Sequence, residues 1–241
     1  MAFVLGVFSL NAAVASIYIS QASLFLSESG PSYQDDRLGD YDPIFAPQVN
    51  TFESNGFGVV FDSNLTNNLG TMTWSITNNT GGDVASSQLM GFLDADLGVE
   101  TPGLGVLNYF DEYGEVFGPL DSWEIDEPGF LFGDIYQHLQ DTGVLDNTNN
   151  VPVGSPEDVS LALGFEITNW LVGETIIATF LISEALNGQA GLGQFDTLTD
   201  DVLYFSGSVE NIGVIPIPGS AGLMLSGLVL LAVARYRRKT V

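Results

Sequence analysis

The sequence predicts an all-β chain, an antiparallel β-sandwich body set between an N-terminal signal peptide and a C-terminal transmembrane helix. Three observations lead there. Apolar residues recur at every second position through the middle of the chain, the period of half-buried strands. Clusters of Gly, Asn, Thr and Pro separate those runs, as turns require. Charge is segregated: all 30 acids lie between Glu28 and Glu210, whereas Arg235, Arg237, Arg238 and Lys239 supply four of the five basic residues.

Taken in order, the opening MAFVLGVFSLNAAVAS carries an apolar run from Ala2 to Leu10. Ala13-Val14-Ala15 then offers an A-x-A cleavage site before Ser16, so residues 1–15 read as a signal peptide. No Lys or Arg precedes Arg37. Either the α-amino group alone forms the basic end, or the start lies upstream of this Met. An N-terminal strand is the competing reading.

Residues 16–211 read as the exported body. In TMTWSIT, Met72, Trp74 and Ile76 alternate with hydroxyl residues. In DVSLALGFEI, Val159, Leu161, Leu163, Phe165 and Ile167 share one face. ETIIATFLISE puts Ile176, Ala178, Phe180 and Ile182 together and is nearly apolar opposite, the pattern of a central strand. Weaker alternation predicts strands at Ile17–Leu26, Gly56–Asp62, Gln88–Asp94, Val106–Phe110 and Val202–Val209. Turns are expected at TNNTGGD, DNTNNVPVGSPED and LNGQAGLGQ, and Gly30–Pro47 reads as a poorly structured approach. One short helix is expected over 134–142, with Asp134 as N-cap, Ile135 and Leu139 as an i,i+4 pair, and Gly143 as the stop.

Composition bounds the chemistry. With 45% hydrophobic residues the chain can bury a core despite a net charge of −25. So acidic a body repels phosphate backbones, which excludes nucleic acid as a partner. The absence of cysteine excludes disulfides, thiolate metal sites and cysteine nucleophiles. A Ser-His-Asp triad would have to use His138, the one histidine, and no G-x-S-x-G elbow occurs. The body therefore reads as non-enzymatic, with no required cofactor. DSWEIDEPGF places Asp121, Glu124, Asp126 and Glu127 around Trp123, an arrangement also found in glycosidase sites, but in so acidic a chain some acids must neighbour an aromatic. Both sequons, at Asn64 and Asn78, are expected by chance in an Asn- and Thr-rich chain.

Calcium is the candidate ligand with most support, because hard cations want several oxygens from carboxylates, Asn and backbone carbonyls. DADLGVE offers Asp94, Asp96 and Glu100 at a strand end; DNTNN offers Asp146, Asn147 and Asn149; DTLTDD offers Asp196, Asp200 and Asp201. None fits an EF-hand loop. A solvated acidic face, as in proteins of saline habitats, is the alternative account of the same residues.

Residues 212–241 close the chain. Gly219–Ala234 is free of charge. As a helix it would span about 24 Å at ~1.5 Å per residue, and flanking Arg and Lys can snorkel to reach across a ~30 Å core. The basic cluster at 235–239 would stay cytoplasmic and leave the acidic body outside. Ile215-Pro216-Ile217-Pro218-Gly219, the apolar run and the basic end, in that order, resemble the PEP-CTERM class of sorting signals in its Val-Pro-Leu-Pro-Ala variant. Ile217 stands where the main form has Glu, and Gly219 where the variant has Ala. The resemblance implies an exosortase-type membrane transpeptidase as partner, cleavage near Pro218, and a Gram-negative host that makes extracellular polysaccharide. WSITNNTGGD…GFLDADLG likewise resembles the strand–turn–strand opening of immunoglobulin-like domains, which implies an Ig-like sandwich. A structural or matrix role at the cell surface follows as the expected function, with a calcium- or glycan-binding module and a polysaccharide hydrolase as alternatives.

Overall fold

Alternating apolar residues dictate strands, and strands need a second apolar face to cover them. The computed structural model describes residues 17–28, 36–41, 49–98, 111–128, 135, 138–139, 143–186 and 188–213. Met1–Asn211 form one compact unit and Ile212–Val241 another. The expected signal peptide, the strand at Val106–Phe110 and the segment 214–241 lie outside the described residues. So, therefore, do Ala13, Ala15, Glu100, Ile215–Gly219 and the basic cluster at 235–239. Among the described residues no helix is long and apolar enough to cross a membrane.

The chain is all-β. Its strands are β1 Tyr18–Glu28, β2 Asp36–Tyr41, β3 Val49–Ser54, β4 Phe57–Thr66, β5 Leu69–Asn78 and β6 Val84–Asp96. They continue with β7 Glu112–Phe117, β8 Ser122–Asp126, β9 Ser160–Trp170, β10 Thr175–Ser183, β11 Gly191–Asp196 and β12 Val202–Ile212. Two antiparallel sheets result, one of five strands in the order β2-β1-β6-β9-β8 and one of seven in the order β3-β4-β5-β10-β12-β11-β7.

The three clearest sequence patterns become β5, β9 and β10. Met72, Trp74 and Ile76 are buried, as are Val159, Leu161, Leu163 and Ile167, with Phe165 partly buried against them. β10 lies between β5 and β12 and buries Ile176, Ala178, Phe180 and Ile182. Its middle is an aromatic stack. Phe180 lies parallel to Phe205 at 5.3 Å and takes Trp74 and Phe165 edge-on at 5.7 and 6.0 Å, geometries that add to simple burial. Asn78, fully buried at the end of β5, donates to the carbonyls of Gly82 and Trp170, and its Oδ1 accepts from the Thr80 N–H and hydroxyl. That network ties the β5–β6 turn to the end of β9.

Two expectations are corrected. The stretch Gly30–Pro47 contains β2, which pairs with β1 from Ala22↔Tyr41 to Leu26↔Asp36. The turn expected from Leu186 runs straight into β11, because Gly191 and Gly193 make room for neighbours: a Cβ on Gly193 would stand 2.8 Å from both the Phe117 and Phe195 rings. β7 and β8 were likewise without a strong apolar signal. Of the expected short helix, Ile135, His138 and Leu139 are described and helical. Gly143 follows at φ 62°, its N–H bonded to the His138 carbonyl at 3.0 Å, a left-handed stop that glycine adopts without strain. Ile135, Leu139 and Leu145 pack with Phe25, Met90, Phe92 and Ala162 in a second apolar cluster on the outer face of the five-stranded sheet.

Candidate functional site

Side chains of β6 point alternately to the two faces of its sheet. Leu89, Leu93, Ala95 and Leu97 face the main core, while Met90 and Phe92 join the outer cluster. Asp94 and Asp96 continue that outer face beyond it. Register places Asp94 opposite Ser160 of β9 and Gln21 of β1, and Ser160 opposite Asp126 of β8. Gln21, Asp94, Ser160 and Asp126 thus form one row across four strands, with Cβ atoms of direct neighbours about 4.5–5.5 Å apart. Two residues past Asp94 stands Asp96, and two before Ser160 stands Asp158.

This end of the sheet is strongly acidic. Burial pushes the Asp94 carboxyl up to about 8, and the charges of Asp158 and Asp96 push the same way. Burial also pushes Asp158 up to about 7, reinforced by Asp96 and opposed by the Val159 N–H. Asp96 is raised by burial, against a bond from the Ser20 hydroxyl at 2.9 Å. Arg37 is the only Lys or Arg among the described residues. Its backbone pairs with Phe25, four residues along β1 from Gln21, which is about 13 Å at ~3.3 Å per residue.

Five carboxylates are buried among the described residues: Asp94, Glu112, Glu124, Asp126 and Asp196. Four of them accept hydrogen bonds. Glu112 takes the Leu97 N–H at 2.6 Å and the Gln194 amide, and burial still holds it up at about 9. Glu124 takes His138 Nδ1 at 2.7 Å and the Asp146 N–H at 3.1 Å. Asp126 takes the Glu127 N–H and the Asn150 amide, and Asp196 the N–H groups of Leu198 and Thr199. Asp94 alone, 6% exposed, has no donor among the described residues. Asp158 Oδ1 is likewise buried without a partner.

A second constellation lies on the same outer face. Ligand atoms of Glu124, His138 and Asp146 are within 4.8 Å of one another, near enough for one ion. Burial pushes Glu124 up to about 7, with the Asp146 N–H and the His138 ring opposing. Both Glu124 oxygens already hold a donor, so the half-buried His138 and Glu124 form a satisfied pair as they stand.

The residues singled out from the sequence fall as follows. Asp94 and Asp96 share one face, as the alternation requires. Asp146 turns toward Glu124, and its Oδ1 accepts from the Thr148 N–H and hydroxyl. Asn147 and Asn149 have their side-chain oxygens on the backbone N–H groups of Trp123 and Val151. Asp196 caps its own turn, with Asp200 at φ 59° in it. Trp123 lies opposite Leu163, on the face away from Glu124 and Asp126, so β8 does not gather its acids around that ring. Sequence reasoning missed Asp158 and Glu112. Asp158 lies two residues before Ser160, which the β6–β9 register sets opposite Asp94, and Glu112 is buried as the first residue of β7. Elsewhere, a cleft of about 850 Å³ opens where β8 and β9 face β12, lined in part by Leu120, Phe165, Glu166, Gln189 and Val209.

What fold and site define is an acidic, antiparallel β-sandwich with a carboxylate-lined outer face. The chain matches no protein-family model, no curated protein and no solved structure.

Proposed function

We propose that this chain is an exported protein, sorted to the cell surface through its C-terminal segment, with a structural or extracellular-matrix role and no catalytic activity. The observation that carries the reading is the pair of signal-like ends around an acidic body: Ala13-Val14-Ala15 at one end, and Ile215–Gly219, an apolar run and Arg235–Lys239 at the other. In this reading residues 1–15 are removed as a signal peptide and 219–234 span the inner membrane with the basic tail inside. An exosortase-type transpeptidase then acts near Pro218. Two prolines there fix φ and withhold donors, leaving extended backbone at the membrane face for a protease to grip. The body is an immunoglobulin-like sandwich that resides in a polysaccharide-rich surface layer or biofilm, a role supported by its two apolar-faced sheets and its strong negative charge.

Intact mass of the protein recovered from its host, by cell fraction, tests this. A species beginning near Ser16 and ending near Pro218 is expected. A membrane-bound species with its tail intact would reduce the segment to a plain anchor and remove the exosortase. Soluble protein in the cytoplasm with both termini intact would overturn export itself.

A further inference from the structure

We propose that Glu124, His138 and Asp146 form a binding site for a divalent transition ion of the zinc type, on the outer face of the five-stranded sheet. The site goes beyond the surface role argued above and does not depend on export. Its ion is structural: it ties β8, the helical segment that carries His138 and the loop after Leu145 to one another.

Three elements bring the ligands together. Glu124 is fully buried on β8, opposite Ala162 of β9. Its Oε1 lies 2.7 Å from His138 Nδ1. Ile135 and Leu139, on either side of His138 in the chain, are buried with Leu145 in the outer apolar cluster, which seats this segment on the sheet. The Asp146 N–H then donates to Glu124 Oε2 at 3.1 Å. One ligand atom from each of the three residues lies within 4.8 Å of the other two. Ligands held at ~2.1 Å from a tetrahedral zinc stand about 3.4 Å apart. Binding therefore asks Glu124 and His138 to part slightly and the exposed Asp146 side chain to close in. Burial falls from Glu124 through half-buried His138 to exposed Asp146, so the ion enters from solvent and keeps water in its open position.

Asp146 is oriented as a ligating carboxylate is. Its Oδ1 accepts from the Thr148 N–H at 2.9 Å and the Thr148 hydroxyl at 2.6 Å, while its Oδ2 has no donor among the described residues. Outer hydrogen bonds of this kind hold metal-binding carboxylates in place. The bond between Glu124 and His138 is the ion-free state of the same site. On binding, the imidazolium gives its Nδ1 proton to water and keeps the one on Nε2, and the freed lone pair joins Oε1 on the ion. The donor set selects that ion. Imidazole suits zinc, iron, nickel and copper, whereas calcium and magnesium take oxygen. The chain has one histidine and no cysteine, so an ion that prefers imidazole or thiolate has a single side-chain address in it. An acidic surface attracts every cation by charge; this nitrogen is what separates zinc from magnesium.

The test uses the full-length chain in detergent, purified without a histidine tag. Zinc binding is measured by titration calorimetry in excess MgCl₂ and NaCl, by the thermal midpoint with ZnCl₂ against EDTA, and by the ring-nitrogen NMR signals of the one histidine. Variants are His138→Gln, Asp146→Asn and, as a control on exposed β9 surface, Glu166→Gln. The wild-type chain should bind one equivalent of zinc saturably, melt higher with it, and show shifted His138 ring signals. His138→Gln and Asp146→Asn should each weaken zinc binding by about 10-fold or more, since even an outer partner of a ligand is worth about 10–100-fold. In EDTA, Asp146→Asn should melt like the wild type, because its amide oxygen still accepts from Thr148. Glu166→Gln should bind zinc as the wild type does. Zinc binding that survives both site variants would overturn the proposal. So would the absence of saturable binding above MgCl₂, or His138 ring signals that stay put at zinc saturation. None of these outcomes touches the sorting reading, which the intact-mass measurement decides separately.

Discussion

Gly91 of β6 lies directly beneath the ring of Phe180 from the opposite sheet. A Cβ at Gly91 would meet Phe180 ring carbons at 2.2, 2.4 and 2.8 Å, against a normal carbon contact of about 3.5–4.0 Å. The ring has nowhere to go. Phe205 stacks on it, Trp74 and Phe165 abut it edge-on, and a Cβ at Gly207 would also stand only 2.9 Å away. Gly91→Ala should therefore destabilise by about 1–3 kcal/mol, the range for overpacking a rigid core. Phe180→Ala should cost about 3–5 kcal/mol through lost burial and the cavity left behind. In the double variant the methyl at position 91 enters vacated space, and a strand Ala is favoured over Gly by about 0.5–1 kcal/mol. The coupling between the two positions is then about 1.5–4 kcal/mol, obtained by combining those ranges. Urea unfolding of the four proteins at fixed calcium and pH measures it, provided the m-values agree. Additivity within about 0.5 kcal/mol would refute the reasoning, because it would mean the sheets do not meet ring-to-backbone at this point.

Three further outcomes are expected. Glu112, raised to about 9 from its usual 4.5 by burial, keeps its proton in the folded chain where the unfolded chain has released it; its stabilisation is full below about pH 4.5 and drains as pH rises toward 9, at up to about 1.4 kcal/mol per pH unit. Glu112→Gln should flatten that slope in denaturant titrations from pH 5 to 9, and an unchanged slope would refute the assignment. Asn78→Ala should lower stability by about 1–3 kcal/mol, because it strips partners from the Trp170 and Gly82 carbonyls and from Thr80; a neutral result by urea unfolding would mean those groups find water. Replacing Arg235, Arg237, Arg238 and Lys239 with Gln should release the tail from its cytoplasmic side, read as altered protease accessibility of the C-terminus in spheroplasts.

How far the sequence reached depended on what each residue's role required. β5, β9 and β10 were legible because their inward residues are large and apolar at strict period two. β11 was not, because Gly191 and Gly193 serve their neighbours by being absent, and a strand of glycines reads as a turn. β8 was seen only as a set of acids around Trp123, although period two already separates Trp123 from Glu124 and Asp126 onto opposite faces. At the candidate site Asp94 and Asp96 were visible as a strand-end pair. Asp158 drew no notice, because it stands just before β9, whose pairing with β6 joins residues more than sixty positions apart. Asn147 and Asn149 looked like ligands by type, yet local backbone donors claim their oxygens, which is the usual competition at Asn-rich turns.

Register also fixes which face of the five-stranded sheet is apolar. β6 pairs with β1 from Tyr18↔Asp96 to Glu28↔Ser87 and with β9 from Val84↔Trp170 to Asp94↔Ser160. A one-residue slip would turn Leu93 and Ala95 outward and drive Asp94 and Asp96 into the core. The apolar face therefore seats in one register only, and the central strands should open with the global transition rather than by local fraying. Amide hydrogen exchange reads this directly. The slowest amides of β6 and β9 should share the exchange rate of the slowest amides of β5, although β5 lies in the other sheet. A separate, faster opening of β6 would refute the reasoning.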